Sequence, residues 1–378
     1  MTTPTRRWVM ITDYPRWPSP YFAHLHRHAP PALPLDFSPG LASLKATHPP
    51  GVVNLHRLKR LYHDPAEGVR TPRAAAELLA ALARLRRAGW RIVWTVHNLH
   101  PIDGGAVTDT DDAVAQEVLG LADLVLCHTH ADGVSLRART GADVRVVGWA
   151  GLDDPGQPPT GAIAAMVEQV GGDEPLFLLM GHITRYKDVP ATAAAFLAHT
   201  HRARLLIAGA SRDPAISADL GRVVAGSGGR LIWYPHRVPP EQAGHLYASA
   251  HAAVCPYRTD AGYGFFADVL HPSSVTTATC YRVPVIAPDL PAVREITQGH
   301  SRWLAPAEDG LGGALASAEA MLTSPGHAAG PPARRPPGES ASRWRRIGQI
   351  YQALAAELLP GEPPPHRPRP HLTGDHRR

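Results

Sequence analysis

The chain has 378 residues, 44% of them hydrophobic, and no apolar run long enough to span a membrane, so a soluble protein of two domains is expected. Its net charge of +5 sits in residues 331–378, where nine arginines face four acidic residues; the rest is neutral, which argues against a nucleic-acid-binding surface. Three scattered cysteines (Cys127, Cys255, Cys280), no CxxC pair and no secretory leader fit a reduced, cytoplasmic protein.

Trp8–Thr12 reads as a strand leading into an unusual loop, Asp13–Tyr21, rich in proline and aromatic residues. Residues 22–50 are dense in His and Pro and show no clear period. Gly51–Leu55 is a short strand, and Thr71–Ala88 has the apolar period of an amphipathic helix closed by Gly89. Strands at Arg91–Val96, Asp123–Cys127 and Asp143–Val147 then alternate with helices at Asp111–Leu121 and Ala131–Arg139.

Between Ala150 and Pro175 the pattern lapses into Gly, Pro and Asp with one short helical piece. A boundary there assigns residues 1–150 to one domain and 151–330 to a second. Alternation resumes with strands at Leu176–Met180, Arg204–Ala208, Arg230–Tyr234, Ala252–Cys255 and Val283–Ala287. The intervening helices are Val189–Ala198, Pro214–Ala225, Pro239–Ser249 and Ser273–Tyr281, with a last one near Asp309–Leu322. A Pro/Arg/Gly linker and an amphipathic helix, Ala341–Leu359, follow; Pro360–Arg378 is expected to be disordered. The fold class is α/β: two Rossmann-like, doubly wound domains facing a central cleft.

Ligands of open parallel sheets bind beyond the carboxyl ends of the strands. In the first domain this rule selects Asp13, Arg16, Trp17 and Tyr21 of the first loop, and His97 and Asn98 after a buried strand. His97 reads equally as a cap on neighbouring backbone or as a contact to a substrate hydroxyl. His128 and His130 follow another strand, but a pair at i, i+2 without a third ligand is poor zinc spacing, and no metal is expected.

In the second domain the apolar run Leu176–Met180 ends at Gly181, and a polar loop then delivers Arg185 and Lys187 ahead of a helix. Taken alone it is an ordinary turn. Together with Pro272-Ser273-Ser274, a helix start whose serines can cap it and whose N–H groups face the cleft, it becomes a diphosphate site. There is no GxGxxG after the first strand, no GxxxxGK[ST], no GxSxG and no HExxH, which argues against nicotinamide, P-loop, hydrolase and zincin chemistry.

The stretch GHITRYKDVPATAAAF resembles the donor-phosphate loop of retaining, GT4-like (group 1) glycosyltransferases of the GT-B fold. RLLIAGAS, the run from RLIWYPHR to LYASAHAAVCPYR, VLHPSSVTTATCYRVPVIAPDLPAVREI, WTVHNLHP and LADLVLCHTH are similar to other segments of that family. The resemblance implies transfer, with retention, from a nucleoside-diphosphate sugar (UDP or GDP) to a small-molecule or glycan acceptor, without a metal or other cofactor. It implies roles for Lys187 and Arg185 on the phosphates and for His97 on the reacting sugar. Donor contacts fall at Gly181, His182, Arg237, Val238, Tyr257, Ser273, Ser274, Val275 and Thr277, with the Asp13–Tyr21 loop and Asn98 on the acceptor side. The helix around Trp344 resembles the terminal helix that crosses back to the first domain.

This chain departs from the family in two ways. His182 stands where the family has arginine, with Arg185 the candidate replacement. The E-x7-E glutamates fall at Val269 and Thr277, so the chain is a variant without them. A non-catalytic nucleotide-sugar-binding subunit and a GT-B epimerase are the alternatives.

Overall fold

A computed structural model describes residues 7–12, 20–31, 33, 35–44, 50–64, 69–102, 107–151, 160–170, 172–260, 262–306, 309–325 and 339–359. The first half runs β1 (Trp8–Ile11), α1 (Pro20–His28), β2 (Leu35–Ser38), β3 (Val52–Leu55), a small hairpin of β4 (His63–Asp64) and β5 (Val69–Arg70), and α2 (Pro72–Arg87). It continues with β6 (Arg91–Thr95), α3 (Asp109–Leu121), β7 (Leu124–Cys127), α4 (His130–Arg137) and β8 (Asp143–Val146). The second half runs α5 (Gly161–Val170), β9 (Leu176–Met180), α6 (Val189–His199), β10 (Arg204–Ala208), α7 (Pro214–Ala225), β11 (Leu231–Tyr234), α8 (Pro240–Ser249) and β12 (Ala252–Val254). Then come α9 (Ser273–Cys280), β13 (Val285–Pro288), α10 (Pro291–Ile296), β14 (Arg302–Ala305), α11 (Gly312–Leu322) and α12 (Glu339–Leu358).

Two six-stranded sheets result, ordered β2-β1-β3-β6-β7-β8 and β11-β10-β9-β12-β13-β14, with every pairing parallel. Strands covered on both faces read as continuous apolar runs. β9 shows how such a run is divided: Leu176 and Leu178 enter one core, Phe177 and Leu179 the core on the opposite face. The strand order reverses between β1 and β3 in one sheet and between β9 and β12 in the other. These switch points are where doubly wound sheets open a crevice.

Local chemistry sets several ends. Thr71 accepts from the Ala74 N–H at 3.1 Å and Pro72 opens α2, while Leu78, Leu82 and Leu85 bury one stripe of it. A capping box between Thr108 and Asp111 starts α3 at Asp109, two residues before the expected Asp111.

The region without a readable period contains α1, β2 and a 3₁₀ turn at Leu41–Ser43. Tyr21, expected in a loop, lies in α1, and Asp13, Arg16 and Trp17 lie outside the described residues. The short elements α10 and β14 add to the expected set. α12 packs on α1 and completes a first-domain core through Trp344, Ile347, Tyr351 and Leu354. The Tyr351 hydroxyl is 3.0 Å from that of Tyr21, and the Trp344 indole donates to the Gly151 carbonyl at 3.0 Å.

Several contacts tie the halves together. Glu295 of α10 accepts from the His130 and Ala131 N–H groups at the start of α4, at 2.8 and 2.9 Å. Asp132 accepts from the Leu270 N–H at 3.1 Å, and Arg139 pairs with Asp268 at 2.8 Å. Val269 is fully buried in a first-domain core, so a glutamate at that position would place a carboxylate among Leu and Val side chains.

Candidate active site

The carboxyl ends of both sheets face a cleft of about 1090 Å³. At its second-domain end β9 finishes in Gly181, which has a φ of 117°, a value that favours glycine. A Cβ there would sit 3.1 Å from the Lys187 ammonium. Gly209, one residue past β10, lies against the Gly181 carbonyl, and a Cβ at 209 would come within 1.9 Å of that oxygen. Gly209→Ala is therefore expected to cost about 3 kcal/mol of stability through overpacking. A urea midpoint equal to wild type would count against this close approach.

Lys187 is 6% exposed, and no carboxylate among the described residues pairs with it. Its backbone N–H closes a turn onto the Thr184 carbonyl at 3.1 Å, and Asp188 follows in the left-handed region at φ 43°. A cation held inside a cleft without a fixed partner is poised for an anionic ligand.

Arg185 lies differently from expectation. Its Nε and Nη2 both donate to Oδ2 of Asp213 at 3.0 Å, while Asp213 caps α7 through the Ala215 N–H. The guanidinium charge is thus matched locally, and Arg185 clasps two loops together. His182 lines the cleft beside Lys187, Arg212 and Arg237, its backbone open to solvent and its ring partly enclosed. Burial of its ring, then those three cations in that order, lowers its pKa.

Across the corner, α9 starts at Ser273 behind Pro272, and neither serine caps it. The Ser274 hydroxyl instead bonds the Tyr257 hydroxyl at 2.6 Å, because the loop after β12 brings that ring within reach. The Ser274 N–H also faces the Tyr257 hydroxyl, while the Val275 N–H meets no backbone acceptor among the described residues. Thr277 turns its hydroxyl onto the Ser273 carbonyl at 2.8 Å.

The first domain contributes a row of imidazoles. β3, β6 and β7 are neighbours, and His56, His97 and His128 each follow one of them at the same sheet edge. His56 Nδ1 lies 3.0 Å from His97 Nε2, and His97 Nδ1 lies 2.9 Å from His128 Nε2. His128 Nδ1 meets the Gly148 carbonyl at 2.9 Å. A carbonyl only accepts, so His128 must donate from Nδ1 and accept at Nε2. The same logic passes back through neutral rings to His56 and leaves its Nε2 without a proton 3.2 Å from the Met10 sulfur, itself only a weak acceptor, so the stronger carbonyl acceptor is satisfied at the expense of the thioether. One carbonyl thereby sets three tautomers.

Burial lowers the pKa of every ring in the row, His128 to about 4 despite its carbonyl bond. His271 of the second domain joins the cluster 4.5 Å from His128 and 3.8 Å from Trp149, and its N–H donates to the His97 carbonyl at 2.8 Å.

This arrangement revises the expected role of His97. Both ring nitrogens are engaged within the row, so the His97 imidazole meets a sugar hydroxyl only where the row breaks. Tyr21 lines the cleft with its ring stacked on Trp149 at 4.7 Å and its hydroxyl turned to Tyr351. Asn98, Gly181, His182, Tyr257, Ser273, Ser274 and Thr277 also line the cleft. Val275 is fully buried in the second-domain core, and Arg237 and Val238 lie outside the lining.

Sequence reasoning missed His56, Trp149 and His271, whereas the rule of strand carboxyl ends already selects the Gly209–Arg212 loop after β10. His56 carried the same signal as His97, a histidine directly after a buried strand. His271 becomes a cleft residue only through packing between distant segments.

Two facing, doubly wound parallel domains give the chain the GT-B fold. Residues 174–323 match the protein family described as "Glycosyl transferases group 1", so the second half is a glycosyltransferase domain of that family. No curated protein matches the chain in sequence.

Solved structures with the same fold include sucrose-phosphate synthase from Thermosynechococcus elongatus, with a TM-score of 0.55 and 18% identity over 81% of this chain and 71% of that one. An E. coli structure described as trehalose-6-phosphate bound with UDP-2-fluoro glucose aligns with a TM-score of 0.56 and 12% identity, over 95% of this chain and 100% of that one. The Anabaena protein HepE in complex with UDP and glucose aligns at 0.50 and 13%, over 81% and 73%.

Proposed function

We propose that this protein is a hexosyltransferase that moves a sugar from a nucleoside-diphosphate sugar to an acceptor hydroxyl with retention of anomeric configuration. The observation that carries the reading is Lys187, a cleft-lining ammonium without a carboxylate partner among the described residues, beside Gly181 at the switch point of the donor sheet. The start of α9, with the Val275 N–H unbonded to backbone among the described residues, supports it from the opposite side. UDP in two structures of the same fold makes a uridine donor the first to test.

The difficult part of such a transfer is the leaving group. As the bond between the anomeric carbon and the phosphate oxygen breaks, negative charge builds on the diphosphate. A fixed cation and fixed N–H dipoles stabilise that charge more than they stabilise the ground state. The acceptor oxygen forms its bond from the same face, and its proton passes to the departing phosphate oxygen, which balances the reaction without a protein carboxylate. The charge compensation on this reading comes from side chains and helix N–H groups and needs no metal.

No helix among the described residues is long and apolar enough to cross a membrane. Cys127, Cys255 and Cys280 are buried and form no disulfide among the described residues, which supports a reducing, cytoplasmic setting. A soluble sugar or glycan acceptor would meet the first-domain wall of the cleft.

The reading is tested with UDP-, GDP- and dTDP-sugars, scoring thermal stabilisation, hydrolysis and transfer to a panel of acceptors. Stabilisation by one donor together with its turnover is expected. Stabilisation without hydrolysis or transfer would leave a sugar-nucleotide-binding protein and overturn the catalytic reading.

A further inference from the structure

We infer that Arg212, on the loop after β10, supplies the second cation of the diphosphate site, the charge that position 182 lacks and Arg185 does not deliver. The inference rests on the donor reading above and names a further residue of that site.

The geometry starts from the backbone. The loops after β9 and β10 stay paired beyond their strands: the Ile183 N–H donates to the Ala210 carbonyl at 3.0 Å, and Ile183 bridges to Ser211. Arg212 therefore emerges at the cleft lip directly beside His182 and Thr184. Its own backbone is fixed from both sides. The Asp213 N–H donates to the Ser211 hydroxyl at 3.1 Å, and Asp213 is held by Arg185 and by the first turn of α7.

The charges sort the candidates. A nucleoside diphosphate brings two to three negative charges, and Lys187 answers one. Arg185 is matched by Asp213. Arg212 is exposed, lines the cleft, and has no carboxylate partner among the described residues. Arg237 also lies near His182, but it sits outside the cleft lining. A guanidinium can also grip two phosphate oxygens through a fork of parallel N–H bonds. In effect, the cation has moved from the first loop of the donor sheet to the second.

The experiment titrates UDP, GDP and dTDP, and the matching monophosphates, into wild type and variants. Arg212→Ala is expected to weaken the diphosphate that wild type binds by about 10- to 100-fold, the range for losing a hydrogen bond to a charged group. The monophosphate should weaken by less than about 3-fold, and Arg212→Lys should fall between. Returning an arginine to the first loop, in the double variant His182→Arg with Arg212→Ala, should recover most of the lost affinity. Arg222→Ala removes an exposed charge that pairs with Asp219 on α7 and should change nothing.

Wild-type affinity in Arg212→Ala, or equal losses for mono- and diphosphate, would overturn the assignment. So would a double variant no tighter than Arg212→Ala. If wild type binds none of the three diphosphates, the donor reading itself falls.

Discussion

Replacing Lys187 by Ala is expected to lower sugar transfer by about 100- to 1000-fold, the usual loss when one preorganised group that stabilises transition-state charge is removed. Nucleoside-diphosphate affinity should fall as well, because the same ammonium meets the ground-state phosphates. The fold should survive. Lys187 is 6% exposed without a carboxylate partner among the described residues, so its removal deletes a desolvated charge rather than a stabilising pair. Single-turnover rates and a melting curve on the same sample separate chemistry from folding. A variant that melts like wild type and transfers within about threefold of its rate would show that this loop does not hold the leaving group.

The second large effect is on stability in acid. His56, His97, His128 and His271 are held neutral by burial, His128 down to about pH 4. The unfolded chain protonates the same rings near pH 6.5. Their contribution is thus fully present above pH 6.5 and is lost as the pH falls towards 4. Each proton bound only by the unfolded chain costs about 1.4 kcal/mol per pH unit.

Asp132 acts in the opposite sense. Burial raises its carboxyl to about 6, so the folded chain gains a proton there first and offsets one histidine. The histidines outnumber it, so stability falls as the pH drops below 6.5, by about 1.4 kcal/mol per pH unit for each net proton. Urea midpoints at pH 7.5, 6.0 and 5.0 measure it. His56→Leu, which leaves only the His97 Nε2 acceptor without its donor, should reduce the slope by about one proton. A stability unchanged from pH 7.5 to 5.0 would contradict the tautomer-locked row.

The donor half was legible because its elements are local. Leu176–Met180 followed by Gly181 and Lys187 specifies a buried strand, a close approach and a cation within one short stretch. α1 was illegible for the opposite reason. Its histidines at 24, 26 and 28 alternate with other residues at a strand-like period, and what makes it a helix is its packing on α12, far away in the chain.

The serines of α9 misled in a similar way. Ser273 and Ser274 look like caps, yet Tyr257 from another loop takes the Ser274 hydroxyl. Arg185 precedes Lys187 by two residues and so looked like its partner, whereas Asp213 decides otherwise from 28 residues downstream. Distances along the chain reveal strands and turns. Which charge is already matched is settled by residues that meet only after folding.

The contact between Tyr21 and Tyr351 spans 330 residues, and Trp344 anchors on Gly151 across 193. During synthesis, the segment that seals the first domain is among the last described parts to leave the ribosome. Residues 8–150 must therefore wait with Trp8, Tyr21 and Phe22 uncovered while the intact donor half is already made. One face of the first domain is therefore completed last, although that domain emerges first.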